Sequence, residues 1–151
     1  MRSFILGSAP MVLKIPEFDR LICIAASIHD IERVPDLTII ETHVLGQSSR
    51  RENIRGHKTK KLLVINSGCW NRTALFSKLL KYDDYEEITP YKRRKLVEEI
   101  TGLDIDTSCG VYALCRELKL KNKVFANRIS FTRRQDALAY EKLKENFIWL
   151  K

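Results

Sequence analysis

The sequence predicts a single α/β or α+β domain in which a mixed β-sheet packs against helices. Short apolar runs rich in β-branched residues fill the first part of the chain, whereas apolar residues recur at helical spacing in the second part. The chain has 151 residues, 44% of them hydrophobic, which is enough for one core and leaves little room for another. We expect the element order to be roughly β-β-β-α-α-α-β-α.

Three strands are predicted in the first part of the chain. Residues 21–26 are continuously apolar, as in a strand that is buried on both faces. Residues 37–45 carry several β-branched side chains, and residues 62–65 form a third apolar run. Residues 1–19 are expected to be an N-terminal extension, partly a leader or an appended segment, so the domain would span residues 20–151.

The second part of the chain predicts helices. Residues 71–80 form the first, with Asn71 as its cap. A second helix begins at Thr89-Pro90, because threonine caps helices and proline suits the first turn, and it ends at Gly102. Asp104 or Asp106 is expected to cap the third helix.

The last part of the chain predicts one more strand and one more helix. Residues 123–129 are expected to return as a strand. Thr132 then begins a final helix, which carries Ala137, Tyr140, Leu143 and Phe147 at helical spacing.

Positive charge is concentrated in two places. Lys and Arg number 27 against 19 Asp and Glu, giving a formal net charge of +8 and a pI of about 9.4. The basic segment, residues 48–61, has a single acid, Glu52, and its cations are Arg50, Arg51, Arg55, Lys58, Lys60 and Lys61. A second cluster starts the helix after Thr89, where cations oppose the helix dipole, and consists of Lys92, Arg93, Arg94 and Lys95.

These clusters favour a basic intracellular protein that binds or processes nucleic acid. Lys and Arg on a scaffold neutralise phosphates and release counterions, which gives binding with little sequence preference. The pattern does not distinguish DNA from RNA, leaves any cofactor and any metal requirement unknown, and assigns no metal ligands. No apolar run approaches the ~18 residues of a membrane span, so a membrane is not an expected partner. A protein partner or a homo-oligomer is compatible with the sequence.

A cysteine-dependent hydrolase is an alternative. Cys109 would begin a helix, where the dipole favours the thiolate. The run from Cys109 to Leu114, Cys-Gly-Val-Tyr-Ala-Leu, resembles the nucleophile segment of the SUMO-protease and adenoviral-protease group of cysteine peptidases. That resemblance implies that Cys109 is the nucleophile and that His57, ahead of the strand at residues 62–65, is its base.

Three further interpretations of the function remain open. Residues 104–107 and 128–130 are similar to motifs of the nucleoside phosphorylases, but Phe131 stands where that family has its catalytic Asp, which implies a degenerate domain of that type. A non-catalytic interaction module would use the acidic patch at residues 83–87. Asp36, Glu41 and His43 carry the side chains of a metal-dependent nuclease, although such residues on a strand are usually polar positions on a solvated face.

Overall fold

The computed structural model describes residues 1–7, 17–24, 33–42, 58–66 and 85–150. Within these ranges the strands are Arg2–Leu6 (β1), Arg20–Ile24 (β2), Leu37–Glu41 (β3), Leu62–Ile65 (β4), Tyr85–Ile88 (β5), Lys123–Asn127 (β6) and Phe147–Trp149 (β7). The helices are Pro90–Thr101 (α1), Cys109–Lys119 (α2) and Arg134–Leu143 (α3). No helix among these residues combines the length and the apolar character needed to cross a bilayer.

All seven strands belong to one sheet with the order β5-β4-β3-β2-β1-β6-β7. The α/β class is therefore confirmed, but the expected mixed sheet is wrong, because every neighbouring pair of strands is parallel. The chain moves outward from β1 to β5 and then returns to the other side of β1 to form β6. Strand order thus reverses between β1 and β6, which makes this position a topological switch point.

The central strands are mainly apolar because they are buried on both faces. Phe4, Ile5 and Leu6 of β1 have no exposed surface, and the four residues of β4 are at most 1% exposed. Helix α2 packs against β1, β2, β3 and β6, so its apolar face forms much of the core. Its N-terminus is thereby held at a fixed place relative to the sheet.

The ends of the chain differ from the sequence prediction. Residues 2–6 form an interior strand of the sheet, paired with both β2 and β6, and not an extension outside the domain. The acidic patch contains β5, which covers Tyr85–Ile88. The final helix ends at Leu143, and Phe147–Trp149 pairs with β6, because its aromatic and β-branched side chains suit a strand.

The helix boundaries follow their capping residues. Thr89 caps α1 by accepting a hydrogen bond from the backbone N–H of Lys92, and Gly102 ends it in the left-handed conformation, as predicted. Ser108 caps α2, so the predicted Asp104 or Asp106 cap is wrong. Helix α3 begins two residues later than predicted, with Arg133 at the N-cap. The helix predicted at residues 71–80 lies outside the described residues.

Candidate ligand site

The switch point brings the carboxyl ends of β1 and β6 into very close contact. The N–H of Gly7, directly after β1, donates a hydrogen bond to the carbonyl oxygen of Asn127 at 2.9 Å. A Cβ atom at Gly7 would overlap the carbonyl oxygen of Arg128, so the backbone approach requires glycine. Arg128 itself has a φ of 62°, in the left-handed region. Parallel α/β sheets bind ligands in a crevice beyond the carboxyl ends of the strands at such a switch point, and the carboxyl edge of β1 and β6 is here called the crevice.

The N-terminus of α2 lies beside the same crevice. A Cβ atom at Gly110 would come within 2.9 Å of the Ile129 side chain, so this helix start packs directly on the residues that follow β6. Ser108 caps the helix by accepting from the N–H of Val111 at 3.5 Å, and its own N–H donates to the buried carboxylate of Asp136 at 2.8 Å. The N–H groups of a first turn have no acceptor inside their helix and favour an anion.

An ionic cluster lies at the carboxyl end of β3. The carboxylate of Glu41 is 3.9 Å from the guanidinium of Arg93, which also pairs with Asp106. Arg93 is only 6% exposed. Two buried polar atoms here, Nε of Arg93 and Oγ1 of Thr107, have no hydrogen-bond partner among the described residues. Buried polar atoms without partners are uncommon, and a polar ligand would supply acceptors for them.

Cys109 is part of this cluster, with its thiol 3.2 Å from the carboxylate of Glu41. Burial and the neighbouring Glu41 carboxylate raise the pKa of the Cys109 thiol well above its usual value, although Arg93 acts in the opposite direction. The expectation that the helix start favours a thiolate at Cys109 is therefore wrong. His57, the predicted base, lies outside the described residues.

Asp36 and Glu41, two of the three residues considered as metal ligands, are not close together. Asp36 precedes β3 at its amino end, where it accepts from the backbone N–H of Leu21 and pairs with Lys60 at 3.0 Å. Glu41 ends the same strand, five residues later, or about 16 Å away along an extended chain. His43 lies outside the described residues. Among the described residues, no group of three side chains that could hold a metal ion is found.

Three cations of the basic segment, Lys58, Lys60 and Lys61, are described, while Arg50, Arg51 and Arg55 lie outside the described residues. The three described lysines precede β4 and so lie at the amino edge of the sheet, opposite the crevice. The ammonium of Lys61 is 3.0 Å from Glu86 on the edge strand β5. Glu86, a member of the expected acidic patch, is thus engaged within the chain.

The second basic cluster divides between the interior and the surface. Arg93 is buried in the ionic cluster, and Arg94 pairs with Asp104 at 3.1 Å. Lys92 and Lys95 instead line an open groove of about 480 Å³ between α1, α2 and β5. The residues around this groove are Glu86, Ile88, Tyr91, Lys92, Lys95, Leu96, Glu99, Tyr112, Arg116, Lys119 and Leu120.

Glu86 connects the two basic clusters. The hydrogen bond from Lys61 lowers the pKa of Glu86 despite partial burial, and the charges of Arg116 and Lys92 act in the same direction. One end of the basic segment and one end of the helix cluster therefore lie around a single carboxylate. Arg116, which the sequence did not single out, extends this positive surface onto α2.

Three residues of the crevice were not identified from the sequence: Gly7, Ser108 and Asp136. The available signal was a glycine directly after the apolar run at residues 4–6, the pattern of a strand followed by a tight turn. This pattern did not lead to a predicted strand, because residues 1–19 were assigned to an N-terminal extension.

Comparison with known proteins gives no relative for this chain. No protein-family model, no curated protein and no solved structure matches it. The interpretation of the site therefore depends on the geometry of the residues described above.

Proposed function

We propose that this protein binds a phosphate-bearing small molecule of the nucleotide class in the crevice between β1 and β6. The observation that carries this proposal is the pair of glycines, Gly7 and Gly110, which let two strand ends and the N-terminus of α2 converge. Ligands of doubly wound parallel sheets bind at such switch points, with phosphate at a helix N-terminus. The phosphate would accept hydrogen bonds from the first N–H groups of α2.

The ionic cluster supports a ligand that also carries hydroxyl groups. The Asp106 side chain is 48% exposed while it pairs with Arg93, so one side of its carboxylate can accept hydrogen bonds from a ligand. Its backbone N–H is already fixed by Gln135 at 2.6 Å, which holds this loop in place. Phosphate at the helix start and hydroxyls at Asp106 are the features of a sugar phosphate or a nucleotide.

Replacing the cap of α2 with a charged one tests this proposal. Asp caps helices as well as Ser does, so Ser108→Asp should keep the fold while its negative charge repels a phosphate. Thr89→Asp makes the same kind of change at the cap of α1, away from the crevice. Isothermal titration with nucleoside mono-, di- and triphosphates and with inorganic phosphate is expected to show binding that weakens roughly tenfold in Ser108→Asp only.

Two outcomes of this titration would contradict the proposed phosphate site. Absence of binding by every member of the panel at millimolar concentration would overturn the proposal. Equal losses in both Asp variants would place the phosphate elsewhere. Amide hydrogen exchange should show ligand protection at residues 108–111 and 129–131 if the site is correct.

Nucleic-acid binding along the groove is a second candidate function, favoured by the meeting of both basic clusters at Glu86. Lys92, Lys95 and Arg116 provide positive charge along the groove, and Lys61 adjoins it. Tyr91 is 70% exposed at the entrance, with the Lys95 ammonium 5.8 Å from its ring centre. Cations that follow a phosphate backbone beside an exposed aromatic ring are typical of binding to single strands.

Neutralising the groove lysines tests this second function. The double variant Lys92→Gln/Lys95→Gln should bind single-stranded DNA and RNA more weakly, and its salt slope should fall by about two because two phosphate contacts are lost. A matched control is Lys121→Gln/Lys142→Gln, which removes two exposed charges elsewhere. A four-residue variant at Arg50, Arg51, Lys60 and Lys61 tests the basic segment in the same assay. Absence of binding at low salt, or equal losses in the control, would exclude the groove.

A further inference from the structure

Four aromatic side chains gather at the end of the sheet opposite the groove: Phe131, Tyr140, Phe147 and Trp149. The centroid of the Phe131 ring lies 4.9 Å from that of Tyr140 and 6.1 Å from those of Phe147 and Trp149. The rings are tilted or stacked at the distances at which aromatic pairs attract. They enclose a cavity of about 340 Å³, which is also lined by Ile129 and Lys144.

The cluster is only partly covered by protein. Phe147 is 9% exposed at the base of the cavity, whereas Tyr140 and Trp149 at its rim are 37% and 41% exposed. A folded chain normally covers rings of this size, and an uncovered concave aromatic surface is typical of a binding site. The cavity therefore has the size and shape of a pocket for one small molecule.

The pocket adjoins the switch point. Ile129 and Phe131 follow β6, and Trp149 ends β7, so the pocket opens at the carboxyl edge of the parallel sheet. Ile129 also contacts Gly110 at the start of α2 and lines the pocket. This shared side chain places the aromatic pocket next to the proposed phosphate site.

The side chains that line the pocket determine which class of ligand it can bind. Among the described residues that line the pocket, only Lys144 is charged, and it is paired with Glu141 at 2.8 Å, so the pair has no net charge. The other side chains of the wall are aromatic or aliphatic, with the Tyr140 hydroxyl and the Trp149 indole nitrogen as their polar groups. A nucleobase or a sugar has several polar atoms that this wall cannot satisfy, whereas a flat apolar ring loses little on entering.

We infer that this pocket is a second binding site, which holds a neutral, flat aromatic ring of indole size. The ring lies in the cavity that Phe131, Tyr140 and Trp149 line, and it rests on Phe147. It gains contact area and edge-to-face interactions from these side chains. The inference goes beyond the proposed phosphate site and does not depend on it, because the ring itself carries no phosphate.

Fluorine NMR with 5-fluoroindole tests the pocket directly. Titration of the full chain should broaden and shift the fluorine signal, and Trp149→Ala should weaken binding roughly tenfold. Ile148→Ala is the matched control, because Ile148 is 43% exposed on the same strand but points to the opposite face. If circular dichroism shows that Trp149→Ala does not fold, Tyr140→Ala is used instead, because Tyr140 lies on α3 at the rim of the pocket.

Three results would overturn the inference. The first is no binding of 5-fluoroindole at millimolar concentration. The second is tighter binding of adenosine or a methyl hexoside than of 5-fluoroindole at the same site. The third is sedimentation showing a dimer that Trp149→Ala dissolves, since a second copy of the chain would then cover the rings. Loss of nucleotide binding in Ser108→Asp with unchanged binding of 5-fluoroindole would show that the two sites are separate.

Discussion

The thiol of Cys109 donates a hydrogen bond to the carboxylate of Glu41, with 3.2 Å between Sγ and Oε1. This contact joins the first residue of α2 to the last residue of β3, and Arg93 lies 3.9 Å from the same carboxylate. A helix N-terminus lowers the pKa of a thiol when the thiol faces water or a cation. Here burial and a carboxylate reverse that effect, so the helix start holds a neutral thiol.

We predict that Cys109 reacts slowly with iodoacetamide at pH 8 in the folded protein. Its protonated thiol is a poor nucleophile, and burial limits access. Glu41→Gln removes the negative charge and should increase the reaction rate a few-fold. Labelling measured for each cysteine peptide by mass spectrometry checks this, with buried Cys115 as the internal control. Rapid labelling of Cys109 that depends on His57 would instead support a cysteine-dependent hydrolase.

We also predict that the protein loses stability in alkali. Burial raises the pKa of Cys115 from 9.0 to about 12, so its thiol stays protonated in the folded state while the unfolded chain ionises. The resulting stabilisation is complete below about pH 9 and is lost as the pH rises toward 12, by up to about 1.4 kcal/mol per pH unit. Tyr112 and Cys109, whose pKa values burial also raises, act in the same direction.

Urea unfolding at pH 8, 9 and 10 measures this effect. Cys115→Ala should be less stable at pH 8, because it leaves a small cavity, but its free energy of unfolding should fall less steeply with pH. Equal slopes for the variant and the original chain would contradict the assignment to Cys115.

Part of the fold could be predicted from local patterns. The strands at β2, β3 and β4 and the helix from Thr89 to Gly102 follow from apolar runs and caps that depend only on neighbouring residues. The parallel pairing could not be predicted in this way, because it depends on contacts such as Ser3 with Arg20 and Phe4 with Phe125, far apart in sequence. The same limit hid β1, whose five residues look like a broken apolar start.

The candidate site, like the fold, could be predicted from the sequence only in part. Charge clusters are visible in the sequence, so Lys92 and Lys95 could be singled out, but burial is not visible, and Arg93 beside them lies in the interior. Gly7 and Gly110 acquire their meaning only from Arg128 and Ile129, which follow a distant strand. Residues that act through such tertiary contacts cannot be found from spacing.

Glu117 on α2 should contribute strongly to stability. It is 1% exposed, and its carboxylate accepts from the Ser3 hydroxyl at 2.7 Å and from Arg20 at 2.8 Å, which connects the helix to β1 and β2. Glu117→Ala leaves these donors without an acceptor and should lower the free energy of unfolding by about 3 kcal/mol.

A matched control for Glu117 lies on the same helix. Lys119 pairs with Glu99 at 3.0 Å, but both side chains are more than half exposed. Lys119→Ala should therefore change stability by less than about 1 kcal/mol in the same urea experiment. Similar losses in the two variants would show that the buried contacts of Glu117 contribute no more than a surface pair.

Gly7→Ala should destabilise the protein more than the same change at Gly102. The new methyl group would overlap the Arg128 carbonyl oxygen, so β1 and β6 must move apart, at a cost of about 2–3 kcal/mol or more. Gly102 has a φ of 77° with open space around it, so alanine there meets only backbone strain of about 1 kcal/mol. Urea unfolding of both variants compares these costs. If Gly7→Ala were as stable as Gly102→Ala, the close contact at the switch point would be wrong, and with it the crevice in which the phosphate is proposed to bind.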